Sequence, residues 1–148
     1  MSRAGRIGIL VAALAAFVAL SLIIARVLTV ANAERDAVYR LVRAEAAGDQ
    51  AAALSRVSGC AGDEACVQRV RRTIARVQHP GAAKLLRFDG PGGLALTGRS
   101  GPARVAWKVG TALPVVQCVH LRTSGNPLGG YTVRITSVDE PTALDEPC

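Results

Sequence analysis

The sequence predicts an α+β protein: an N-terminal transmembrane helix, then about three helices packed on a curved antiparallel sheet of four to five strands. Three observations carry this. An uncharged apolar run occupies Ile7 to Ala25. Helical periodicity then dominates as far as Pro80. Beyond Pro80, β-branched residues alternate with polar ones between Gly-rich turns.

The apolar run holds 19 of the chain's 148 residues. A helix of that length is about 28 Å long, close to the roughly 30 Å hydrocarbon core of a bilayer. Arg3 and Arg6 precede the run and favour a cytoplasmic N-terminus with the remainder outside. Residues 1–33 therefore read as cytoplasmic tip, anchor and juxtamembrane helix, and 34–148 as an extracytoplasmic domain. A rival reading is a signal peptide cleaved after Ala33, at the end of "ANA". The run is longer than the roughly 7–15 residues usual for such a signal. Both readings export residues 34–148.

The first helix of the domain is "ERDAVYRLVRAEAAGDQ", where Val38, Leu41 and Val42 share a face. No Pro or Gly separates it from the apolar run, so the helix is expected to be continuous through Val30. The apolar stripe is expected to stop at Glu45. Gly48 then suits a helix C-terminus, and Asp49 an N-cap for "QAAALSRVS". "DEACVQRVRRTIARVQHP" is the third helix, with Val67, Val70, Ile74 and Val77 in one stripe and arginines opposite. The strand candidates are "AAKLLRFD", "LALTG", "ARVAWKV", "LPVVQCVHLRT" and "YTVRITSV", with "RSGP" separating the second from the third. "DEPTALDEPC" is a Pro-broken extended tail.

The helix pair "AVYRLVRAEAAGDQAAALSRV", the third helix, and the strands "RVAWKV", "LPVVQCVHLRT" and "YTVRITSV" together resemble small extracytoplasmic domains of the nuclear transport factor 2-like superfamily. Membrane-anchored bacterial members, including those associated with mammalian-cell-entry transport systems, share the single N-terminal span. The resemblance implies helices over a concave sheet, with a cone-shaped pocket between them. Some members use an acid or His there for catalysis, and many bind or act as scaffolds. Fold alone does not decide between these.

Among candidate functional residues, Tyr39, Trp107, His120 and Tyr131 are the side chains to place in such a pocket. His120 shares strand parity with Val116 and Cys118, but no carboxylate on its strand could orient it as a base. His79 sits before Pro80, where it reads as a helix-end donor. Arg69, Arg71, Arg72 and Arg76 form a basic helix face that could meet an anionic partner or lipid head groups. The plainer reading is a solvated face, since 16 of the 18 basic residues are Arg, a usage typical of GC-rich bacterial genomes. Residues 34–148 carry a formal charge of only +4, which argues against nucleic acid as a partner. No Ser lies in a nucleophile-elbow motif, and "GPGG" lacks the Lys-Ser/Thr of a phosphate loop.

The four cysteines are Cys60, Cys66, Cys118 and Cys148. An even count in an exported domain favours disulfides, and a six-residue separation with no second close pair suits zinc poorly. Of three connectivities, Cys60–Cys66 and Cys118–Cys148 are favoured: one across the entrance to the third helix, the other pinning the tail to a strand. The sequence thus predicts a non-catalytic binding or assembly module. It has no cofactor, is anchored through residues 7–25 and has a protein partner at the membrane. The alternatives are a small-molecule binder or enzyme using the cone, and a secreted soluble domain.

Overall fold

A computed structural model describes residues 3–93, 98–126, 130–142 and 148. The side chains at 3–6, 26, 27 and 126 lie outside that description, and with them those of Arg3 and Arg6. The expected strand "LALTG" lies outside it too, except for Gly98, as does the tail between Thr142 and Cys148.

Helix α1 runs unbroken over Arg3–Ala47, 45 residues, or about 67 Å at 1.5 Å per residue. Its first part, from Ile7 to Ala25, is exposed on every side and packs on nothing. It lies in the one helix long and apolar enough to cross a membrane among the described residues. From Val30 onward a single face turns inward: Val30, Glu34, Val38, Leu41, Val42 and Glu45 are all buried. These positions recur at helical spacing, so the apolar run and the core-facing stripe share one rigid rod. The stripe does not stop at Glu45, as the sequence predicted. It carries Glu45 into the interior, because the carboxylate there meets a polar side chain of the sheet.

Gly48, with φ of +73°, ends α1 in the left-handed conformation that a side chain would resist. Asp49 then caps α2, Gln50–Arg56, accepting a bond from the Ala52 N–H at 2.9 Å. A short 3₁₀ turn, Cys60–Gly62, leads into α3, Glu64–Val77. Asp63 caps α3 by accepting from the Ala65 N–H at 3.0 Å. Val70, Ile74 and Val77 are buried as the stripe predicts, together with Cys66 and Thr73.

Strands β1 (Ala83–Asp89), β2 (Gly98–Val109), β3 (Val115–Asn126) and β4 (Gly130–Val138) form an antiparallel meander in sequence order. The four-strand sheet and its helical layer bear out the α+β reading. One sheet face carries Ala103, Val105, Trp107, Val109, Val119, Leu121 and Ile135 into the helices, where they join the α1 and α3 stripes in one core. The edge at β4 is partly covered: Val57 bridges to Ile135, and the Ser58 N–H donates to the Ile135 carbonyl at 2.8 Å.

The "RSGP" stretch, expected to separate two strands, lies inside β2. The proline is tolerated because β1 ends at Asp89, opposite Arg104. At Pro102 the strand has only β3 beside it, so a missing N–H breaks no second ladder.

Cys60–Cys66 joins the 3₁₀ turn to the first turn of α3, with an S–S distance of 2.03 Å. Cys118–Cys148 closes at 2.06 Å and ties the chain's end to the outer face of β3. Between them, the chain after β4 continues alongside β3. The Asp139 N–H donates to the Cys118 carbonyl at 2.9 Å, and the Thr142 N–H to that of Val116 at 2.8 Å.

Candidate functional site

Glu34 stands nine residues beyond the apolar run, and its side chain is wholly buried. The sheet closes on it from two strands. Arg99, near the start of β2, donates from Nε to Oε1 at 2.9 Å and from Nη2 to Oε2, a two-point fork. Thr123 of β3, the register partner of Arg99, donates its hydroxyl to Oε1 at 2.6 Å. Arg99 Nη1 also donates to the Gly93 carbonyl at 3.2 Å, so the chain entering β2 is drawn into the same knot. The Glu34 hydrogen bond raises the Arg99 pKa, despite partial burial, and keeps the guanidinium charged. Gly90 completes the wall. A Cβ there would sit 3.3 Å from Glu34 Oε2 and 3.1 Å from the Phe88 ring. Removing one member of such a buried pair leaves the other charge without compensation, at a cost of about 3–5 kcal/mol.

A second polar seam lies deeper. Trp107 Nε1 donates to Gln117 Oε1 at 3.3 Å, and Gln117 Nε2 donates to Glu45 Oε1 at 3.3 Å and to the Asp139 carbonyl at 3.2 Å. All three side chains are fully buried. Burial pushes the Glu45 carboxyl up to about 8, partly offset by the Gln117 bond, so at neutral pH it is mostly protonated. Glu45 Oε2 has no partner among the described residues, nor does the buried Thr73 hydroxyl. A depression of about 380 Å³, lined by Val77 at the end of α3 and by Trp107, Val109 and Val115 of the sheet, opens beside this seam.

The four side chains proposed for a cone pocket are not brought together. Trp107 is core, wholly buried on the helix-facing side of β2. His120 lies on the opposite face of the sheet, its side chain 44% exposed and its Nε2 4.0 Å from Asp139 Oδ2, too far for a hydrogen bond. Tyr131 sits near the β3–β4 turn, four residues from Ile135 along β4. Tyr39 projects from the side of α1, 37% exposed. The reason is parity: successive strand residues point to opposite faces, which separates His120 from Trp107.

The arginine face of α3 has partners within its own chain. Arg72 Nε donates to Glu140 Oε1 at 2.6 Å, Arg76 lies 2.9 Å from Glu140 Oε2, and Arg69 reaches the Val138 carbonyl at 3.3 Å and Asp139 at 3.8 Å. The Arg72 bond holds the Glu140 carboxyl below its ordinary range. The tail's acids thus take the place expected for an external anion, and of the four arginines only Arg71 points to solvent with no ion pair among the described residues.

No protein-family model, no curated protein and no solved structure matches this chain.

Both disulfide pairs fall where the sequence placed them. Among the described residues no three His, Cys, Asp or Glu side chains are grouped as metal ligands. Glu34 and Arg99 escaped the sequence reading. Their signal was phase: Glu34 lies four residues from both Val30 and Val38, on the inward stripe.

Proposed function

We propose that the chain is a membrane-anchored extracytoplasmic module that binds or assembles with other proteins and does no catalysis. Residues 7–25 span the bilayer, with the N-terminus in the cytoplasm and the domain from Glu34 outside. The observation that carries this reading is the helix that runs unbroken from the apolar run into the domain, with Val30, ahead of Ala33, already buried. Cleavage after Ala33 would leave the Glu34–Arg99 ion pair in the mature domain but remove Val30, which is buried on the same stripe. Two disulfides suit the oxidising side of a membrane. The likeness to nuclear transport factor 2-like domains is consistent with an assembly role.

The test joins mass and topology. Intact mass of the native protein is expected to match the full chain and to rise by four hydrogens on reduction. The protein should stay in the membrane through a carbonate wash, and external protease should reach the domain. A mature mass beginning at Glu34, or a domain shielded from external protease, would sink the reading.

A further inference from the structure

The two edges of the sheet differ. The β4 edge is partly closed by Val57 and Ser58, whereas β1, among the described residues, has a strand neighbour on one side only. Beside the open side of β1 runs a groove walled by α1. It consists of two depressions, of about 930 Å³ and about 300 Å³, that share Tyr39 and Ala83. The larger opens between Arg43 and His79; the smaller lies between Arg35 and Lys84.

Two independent features mark this groove. First, among the described residues after Leu28, only Tyr39, Leu86 and Leu113 are large apolar side chains with substantial exposure. Tyr39 lines both depressions, and Leu86 lies on β1 itself, 45% exposed where the ladder to β2 slips between Leu85 and Arg87. Tyrosine offers much contact area at small entropic cost, and it is enriched among residues that dominate binding.

Second, the groove holds unpaired cations. Arg69, Arg72, Arg76, Arg87 and Arg99 have acidic partners, whereas Arg40, Arg56, Arg71 and Arg134, outside the groove, have none among the described residues. Arg35, Arg43 and Lys84, around the groove, have none among the described residues, and the nearest acid in the lining is Asp36.

We propose that the free edge of β1, with the Arg35–Tyr39–Arg43 side of α1, is a docking groove for an extended acidic segment of a partner protein, which adds to the sheet as a fifth strand. The proposal rests on the assembly reading and supplies its partner surface. β1 has seven residues, about 23 Å of strand, so a segment of six or seven residues fits. Main-chain bonds to the edge supply affinity, and side-chain pockets and charge supply selectivity. The bulge and the Lys84 charge on β1 also guard the edge against indiscriminate pairing. An acidic strand cancels that repulsion, whereas a second copy of β1 would add to it.

The test is selection of random twelve-residue peptides against the full chain in nanodiscs. Selected peptides are expected to be net acidic, to slow amide exchange over 83–89, and to lose at least tenfold in affinity when alternate residues are N-methylated. An R43E/K84E double variant with both disulfides intact should bind them at least tenfold more weakly. No enrichment, charge-indifferent peptides, or protection elsewhere would overturn the proposal. In cells, a photocrosslinker at Leu86 should capture the partner through a segment rich in Asp or Glu, while one at Arg134, on the outer face of β4, should not. Capture through Arg134 alone would discard the groove and keep the assembly reading. Capture of a second copy at Leu86 would replace the acidic partner with a homodimer and refute the proposal.

Discussion

Replacing Glu45 by Gln should stabilise the protein, and by an amount that grows with pH. The Glu45 carboxyl has an ordinary value of 4.5 when exposed and is raised to about 8 in the fold, first by burial. The folded state therefore holds a proton that the unfolded state releases. Stability from this group is intact below pH 4.5, falls as pH rises towards 8 and levels off above it. Each pH unit in that window costs about 1.4 kcal/mol, so roughly 4 kcal/mol should be lost between pH 5 and pH 8. The glutamine amide has nearly the same shape as the carboxyl, keeps an oxygen for Gln117 and cannot ionise. At pH 7 the E45Q protein should be more stable than wild type by about 3 kcal/mol. Glu140, whose carboxyl is shifted down, titrates below the window and does not oppose the trend. The assay is urea unfolding of the full chain in mild detergent from pH 5 to 8.5. It is followed by the fluorescence of Trp107, the chain's only tryptophan, which is linked to Glu45 through Gln117. A wild-type stability flat across this range, or an E45Q variant that declines in parallel, would refute the reasoning.

Two further outcomes follow from the cross-links. Cys118→Ala should lower the melting temperature more than Cys60→Ala, because the bonds close loops with sequence separations of 30 and 6. In the chain-entropy model these contribute about 3.5–4 and 2–2.5 kcal/mol; thermal melts in the reverse order would remove that model or the pairing. Arg99→Ala should cost about 3–5 kcal/mol, and Glu34→Gln in the same background should recover part of the loss, since the stranded charge is the main penalty. Denaturant titrations in which the two losses simply add would mean that the knot is not a coupled pair.

Much of the fold was legible because its signals are local. The cap at Asp49, the Gly48 turn and the stripe of α3 each need only a few neighbouring residues to be read. The cysteine pairs were legible because one loop is short and the other ends the chain. The buried acids were not, although the phase of the α1 stripe included both. An acid on a helix reads as solvated until its partner is known. Arg99 lies 65 residues from Glu34, Thr123 lies 89, and Gln117 lies 72 from Glu45. The same distance hid the fate of the α3 arginines, since Glu140 is 68 residues from Arg72. The pocket expectation failed on parity, which sends His120 and Trp107 to opposite sides once β2 and β3 are in register.

The unbroken α1 also fixes a bearing. A helix turns by about 100° per residue, so the knot at Glu34 sets the compass direction in which the sheet stands around the rod below. Any neighbour touching a given side of the apolar run meets the domain at one azimuth. One residue inserted between 28 and 29, ahead of the buried Val30, would swing the domain by roughly 100° and lift it by only about 1.5 Å, whereas four inserted residues would bring the heading back to within about 40°. Height and heading can thus be varied almost separately, and a partner sensitive to heading would favour the second insertion over the first.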